Sequence, residues 1–396
     1  MLTARTKNGN QVCLGNDYQK ETLLNLRKRE EFFCPVCGER VLLKLGEQRI
    51  FHFAHKQGGN CREFFENESI YHMEGKRQLY QWLIRQNIPA ILEYYDRDIQ
   101  QRPDIMFNYK RKRYALEYQC STIAEDIFLK RTQNYLRNDY IPIWIIGGKQ
   151  LHQKKLNIAQ FSIFHYLFLR ETADDSFYIP AYCPEKELFQ IIGSIFPYSI
   201  KNTFVQNSIY TRDLVTIDLL LNPKIPNQLN FKDWNDEVER VKFLWSLHPN
   251  AKNGFLHEIY NRSLNLCLLP SEIGLPIRHA LYIQTSPIIW QTYLYLDLFA
   301  QKEPGDFFSI KDAEYSFLKR IKRNEIMVRN LPQIQGMNPF DAALDYFNIL
   351  EKLGVLAKKG KLFQILKKMA IPLSNREKEE MSQHFFLKYL EQNRKR

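Results

Sequence analysis

The sequence predicts an α/β (α+β) chain of several domains: a small metal-ribbon module, an α/β core and a mainly helical carboxy-terminal region. Three observations carry this. Cysteines and histidines cluster between positions 34 and 61, a helix, three strands, a helix and a strand follow from about 68 to 147, and helical spacing dominates later. At 396 residues the chain also exceeds the size at which a single core usually stops growing. The expected boundaries are 1–62, 63–150 and 151–396, with a separate unit at 285–370.

The first module is read from Cys34-Pro-Val-Cys37-Gly38, a tight knuckle with two thiolates, followed by His52-Phe-Ala-His55 and Cys61. Val41 to Leu45 and Arg49 to Phe53 pattern as the two strands of a ribbon. Cys34, Cys37, His55 and Cys61 are the expected tetrahedral zinc ligands, with His52 as the alternative to His55. Four protein ligands close such a site, so its zinc is structural and folds a module too small to bury a core alone. A Cys-x-x-Cys pair also suits redox chemistry, but the His and third Cys argue for metal.

The core begins with a helix in which Glu68, His72 and Lys76 recur every four residues as a polar stripe, beside an apolar one through Leu79, Trp82 and Leu83. Pro103-Asp104 then opens an apolar strand, Tyr109 to Arg113 turns the chain back, and Tyr114 to Gln119 forms the return strand. This hairpin brings Asp104 beside Glu117. Gln119 shares the face of Glu117, since side chains alternate along a strand. Two carboxylates suit Mg2+ or Mn2+, a hard ion that activates water for attack on phosphorus. Glu93, on the first strand, is within reach of the metal too, but reads first as an exposed strand residue. A helix from Ile123 to Asn138 places Arg131 and Tyr135 one turn apart as candidate nucleic-acid contacts, and Ile141 to Ile146 is a buried strand.

That order, with Asp on the second strand and Glu-x-Gln on the third, resembles the PD-(D/E)XK, restriction-endonuclease-like nuclease fold. Asn67-Glu68-Ser69 with His72, Lys76 and Leu79, then Leu116 to Ser121, then Lys130 to Tyr135 resemble the competence protein CoiA family, as do the Cys-Pro-x-Cys and His-Phe-Ala-His segments. The resemblance covers about the first 150 residues well. It implies a role in natural transformation, handling incoming single-stranded DNA for recombination, with recombinase or DNA-uptake proteins as partners. The nuclease pattern carries Lys where this chain has Gln119, and an amide cannot supply positive charge. Lys76 or Arg131 is the candidate replacement, and His72 a candidate proton donor or hydrogen-bonding group.

Charge and composition agree with a nucleic-acid partner. Net charge is +12, and lysine and arginine that displace counterions from phosphates bind in a salt-dependent way. No run of eighteen apolar residues and no signal-type start are present, so a cytoplasmic location without a membrane span is expected. From Leu151 to Pro270 the chain is aromatic-rich and reads as mostly helical; there is no Walker-type loop for an ATP-driven motor. Further on, Ser309-x-x-Asp312 is a capping start, and Lys358-Lys-Gly-Lys361 turns a basic hairpin after a helix. By fold analogy this resembles a winged helix, with Lys358, Lys359 and Lys361 touching a DNA backbone.

Three functional readings follow. The first is a metal-dependent deoxyribonuclease with Asp104, Glu117, Gln119, Glu68, His72 and Lys76 at its site. The second is a non-catalytic DNA-binding recombination mediator on a degenerate nuclease scaffold. The third is an adaptor without affinity for nucleic acid.

Overall fold

The computed structural model describes residues 1–396 except 47–49, 57–60, 62–67, 156, 227–228, 248–252 and 395–396. Arg49 and Asn67, which begin two of the segments read above, lie outside the described residues. The first sheet has five strands: β1 (Thr3–Thr6), β2 (Gln11–Cys13), β3 (Phe32–Phe33), β4 (Arg40–Lys44) and β5 (His52–His55), in the order β2-β1-β3-β4-β5. The expected ribbon is its β4–β5 half, paired antiparallel with Val41 opposite His55. Helix α1 (Lys20–Arg29) connects β2 to β3.

The second, ten-stranded sheet forms the centre. Helix α2 (Ile70–Arg85) precedes β6 (Ala90–Leu92), β7 (Ile105–Tyr109) and β8 (Lys112–Gln119); α3 (Glu125–Arg137) leads into β9 (Tyr140–Gly147). The helix, strands, helix, strand order therefore stands. Beyond it the sheet continues through β10 (His152–Lys155), β11 (Ile158–Gln160), β12 (Arg170–Glu171), β13 (Phe177–Cys183), β14 (Leu188–Pro197) and β15 (Asn202–Thr211), with the short α4 (Ile163–Tyr166) between β11 and β12. The path runs β10-β11-β15-β14-β13-β9-β8-β7-β6, and β12 pairs with β13. Pairing is parallel at β8–β9 and β9–β13. The boundary expected at 150 thus falls inside one sheet, and the helical reading of the segment after Leu151 is corrected. All seven residues of β13 are buried, so it lacks the polar alternation that marks a half-exposed strand.

The two faces of this sheet are covered by different helices. Along β9, Ile143 and Ile145 join the cluster of Leu79, Trp82 and Leu83 from α2, while Trp144 and Ile146 join Phe128 of α3. Period-two alternation explains the split. Trp144 stacks on Phe128 with centroids 4.0 Å apart.

The remaining chain is mostly helical: α5 (Ile217–Leu221), α6 (Phe231–Leu247), α7 (Gly254–Asn261), α8 (Pro287–Leu298), α9 (Ile310–Lys322), α10 (Asp341–Lys352) and α11 (Asn375–Arg394). A third sheet, β16 (Phe307–Ser309), β17 (Leu356–Lys359) and β18 (Leu362–Ile365), has the order β16-β18-β17. The capping start is present, since Ser309 and Asp312 bond each other's backbone N–H at the head of α9. Among the described residues no helix is long and apolar enough to cross a membrane.

Candidate functional site

Among the described residues, two clusters gather metal-ligating side chains. In the first, the ligand atoms of Cys34, Cys37, His55 and Cys61 all lie within 4.8 Å of one another. The knuckle builds it: Gly38 takes φ +74°, its N–H donates to the Cys34 carbonyl at 3.0 Å, and the Glu39 N–H points at the Cys37 sulfur at 3.5 Å. Cys37 Sγ is 3.4 Å from His55 Nε2. Burial holds the His55 imidazole below its ordinary pKa, which favours the neutral form that binds metal. His52 is outside the cluster, its Nδ1 lying 2.9 Å from the Ile50 carbonyl. Three thiols and one imidazole are a donor set that fits zinc.

The second cluster sits at one end of the central sheet. Ser69 caps α2 by accepting the His72 N–H at 3.1 Å, and this start aims His72 and Lys76 at the sheet. Lys76 is completely buried and is a hub of charge: its Nζ bonds Glu68, lies 2.7 Å from Glu93 Oε1 and 3.5 Å from Asp104 Oδ1. Asp104, at the bend before β7, also accepts the Tyr118 N–H at 2.9 Å. Burial opposes ionisation of Glu68, Glu93 and Asp104, but the Lys76 ammonium prevails and holds all three below the usual carboxylate range, Glu93 at about 2. Burial disfavours the charged form of Lys76 too, yet Glu68 and Glu93 keep it protonated.

His72 closes the group. Its Nε2 is 3.5 Å from Asp104 Oδ2 and is a buried nitrogen without a hydrogen bond. Ligand atoms of Glu68, His72 and Asp104 lie within 4.8 Å of one another. Two carboxylates and an imidazole whose buried Nε2 makes no hydrogen bond fit a divalent cation such as Mn2+ or Mg2+.

With Ile105 opposite Leu116, Glu117 follows on β8 as the cross-strand neighbour of Asp104, but its carboxylate is taken by Arg131 and Tyr135 of α3. Burial raises the Glu117 pKa to about 7; Arg131 draws it down, and the charge of Asp104 adds to the rise. Asp104 gathers with Glu68 and His72 at its bend, while its cross-strand neighbour Glu117 bonds Arg131 and Tyr135 of α3. Tyr135 is fully buried, so its ring has no surface for a base. The Arg131 guanidinium is committed to Glu117 and lies 5.3 Å from the Trp144 ring centroid. Gln119 donates to the Ser121 carbonyl at 2.9 Å and to its hydroxyl at 3.2 Å. Lys358, Lys359 and Lys361 are exposed on the hairpin far along the chain.

The exposed reading of Glu93 is corrected. It is 1% exposed, and its φ of +51° explains why. Continuing the alternation of β6 would turn this side chain outward; a left-handed residue breaks the alternation and turns it toward Lys76. The other carboxylate oxygen, Oε2, accepts the Leu2 N–H at 2.8 Å and the Thr3 N–H and hydroxyl at 3.1 Å. The first strand of the metal-ribbon sheet is thereby fastened to the Lys76 hub.

With this geometry in view, comparison with known proteins is informative. Three family models match in succession: the Competence protein CoiA N-terminal domain over 15–64, its nuclease-like domain over 68–225 and its C-terminal domain over 230–392. Competence protein CoiA of Bacillus subtilis (strain 168) is 32% identical over 351 residues, covering 87% of this chain and 91% of that protein. This chain belongs to the competence protein CoiA family. No solved structure matches it. The nuclease-like match spans α2 through α5, so it includes every member of the Lys76 cluster and the whole central sheet past position 150.

Proposed function

We propose that this CoiA-family protein acts in natural competence as a metal-dependent phosphodiesterase on single-stranded DNA. The observation that carries the reading is the convergence of Glu68, His72 and Asp104 on one point beside a buried ammonium. These three residues would hold Mn2+ or Mg2+, which supplies a water of lowered pKa and a charge on the phosphate oxygens. Asp104, fixed by the Tyr118 N–H, orients the site. Lys76 supplies the positive charge that Gln119 lacks, and so takes the place of the strand lysine of the PD-(D/E)XK pattern. Glu117 lies beside this group, held by Arg131 and Tyr135. The Cys34, Cys37, His55 and Cys61 set would hold a structural zinc.

One observation favours the second reading, a DNA-binding mediator on a nuclease scaffold: the Gln119 amide nitrogen donates to Ser121 within its own strand end. A labelled single-stranded oligonucleotide, assayed for binding in EDTA and for cutting in Mg2+ or Mn2+, separates the two. Hydrolysis predicts metal-dependent cutting that Asp104→Ala abolishes while zinc content and binding persist. Binding without cutting by the wild type under every metal condition selects the mediator.

A further inference from the structure

The β16-β18-β17 sheet, with α9 and α10 inserted between β16 and β17, has the layout of a winged helix. In that layout the second helix customarily enters a DNA groove. Here the second helix is α10, and it faces inward. Ala342, Ala343, Tyr346, Phe347 and Leu350 are buried, the Tyr346 hydroxyl donates to the Glu272 carbonyl at 3.0 Å, and Asp345 accepts the His279 N–H at 3.1 Å. Its carboxylates Asp341, Asp345 and Glu351 would also repel phosphate.

The outward face belongs to α9. Lys311, Tyr315, Leu318, Lys319 and Lys322 are all exposed, at spacings that place them along one side of the helix. From Lys311 to Lys322 this face runs about 17 Å. Tyr315 is 70% exposed, so its ring stands among lysines with both polar and π surfaces open. The basic hairpin adjoins the same end of the helix: the Ile310 N–H donates to the Lys361 carbonyl at 3.0 Å, and Ser309 pairs with Leu362. Lys361 therefore follows directly on from Lys311, Lys359 extends the strip over the Phe307 ring, and Lys358 is exposed on the other side of the strand end. Among the described residues these six ammonium groups form no ion pair. Of the acids nearby, Asp312 is committed to the Ser309 cap and Glu314 is half-buried.

We propose that the outer face of α9 and the β17–β18 turn form a track for single-stranded nucleic acid, separate from the Glu68–His72–Asp104 cluster. The lysines meet successive phosphates and Tyr315 stacks on an unpaired base. A single strand is favoured over a duplex because α10, the helix this layout would place in a groove, faces inward, whereas an exposed ring among cations serves any unpaired base. The inference draws its polymer from the reading above but does not depend on hydrolysis.

The test uses the full chain in EDTA, with fluorescence anisotropy of a labelled single-stranded oligonucleotide across a salt series. Replacing Lys311, Lys319 and Lys322 together by Ala is expected to lower the magnitude of the log Kd against log salt slope by about 2, at roughly 0.7 per phosphate lost. Tyr315→Ala is expected to weaken binding by about 5-fold or more with the slope unchanged, and Tyr315→Phe to restore it. Asn348→Ala, on α10, is expected to bind like the wild type. An unchanged slope and affinity in the lysine variant overturns the proposal and leaves the face to a protein partner. Duplex affinity equal to that of the single strand and indifferent to Tyr315→Ala overturns it equally. Absence of cutting with loss of binding in the strip variants refutes hydrolysis and sustains the track.

Discussion

Replacing Lys76 with Met tests whether one ammonium organises the acidic end of the central sheet. The side chain is fully buried and serves Glu68, Glu93 at 2.7 Å and Asp104 at 3.5 Å. Met fills a similar volume, so the packing of α2 is retained while the charge is lost. Removing one partner from a buried ion pair typically costs about 3–5 kcal/mol, because the remaining charge is left uncompensated. For a domain of this size, that corresponds to a melting temperature lower by about 6–20 °C. The assay is thermal unfolding followed by tryptophan fluorescence, run in EDTA and again with excess Mn2+. With three carboxylates released, a divalent cation has more to gain: at one hundred times its Kd it restores about 2.7 kcal/mol. A variant that melts with the wild type in EDTA, or that gains no more from Mn2+ than the wild type does, refutes the reasoning.

Three further outcomes follow from the same structure. Cys37→Ser is expected to abolish stoichiometric zinc by atomic absorption, whereas His52→Ala retains it; since Glu93 bonds Leu2 and Thr3, the zinc-free protein should also show faster hydrogen exchange at Lys76. Gly75→Ala would place a methyl carbon 2.0 Å from Tyr118 Cε1, so α2 must shift away from β8; a loss of ~1–3 kcal/mol in urea unfolding is expected, with cutting reduced as His72 moves from Asp104. Burial opposes ionisation of Glu239, but Lys242 and Lys378 prevail and depress its pKa, so its contribution to holding α11 on α6 is present above about pH 4.3 and is lost as pH falls further. Protection of the α11 amides, taken relative to intrinsic exchange at each pH, should therefore fall on acidification, and Glu239→Gln should remove that dependence.

Local chemistry was the most legible part of this chain. The Cys34, Cys37, His55 and Cys61 cluster depends on spacings within thirty residues, and the two histidines of His52-Phe-Ala-His55 separate because positions three apart on a strand face opposite sides. The α2 stripe and the Asp104–Glu117 hairpin were legible for the same reason. What the pattern could not show was direction at irregular backbone. Asp104 sits at a bend and turns to α2, and Glu93 turns inward through a positive φ. Tyr135 looked available to DNA because an i, i+4 pair with Arg131 specifies only a common face, and that face is against Glu117. The strands from β10 to β15 were hidden because a strand buried on both sides, such as β13, has no alternation to read.

The central claim is that one divalent cation belongs to Glu68, His72 and Asp104. Crystals soaked in Mn2+ and measured at the manganese absorption edge locate the ion directly. The account predicts one anomalous peak within coordination distance of His72 Nε2 and both carboxylates, with Lys76 still alongside. A peak held by Glu117 and remote from His72, or none at any concentration, contradicts it.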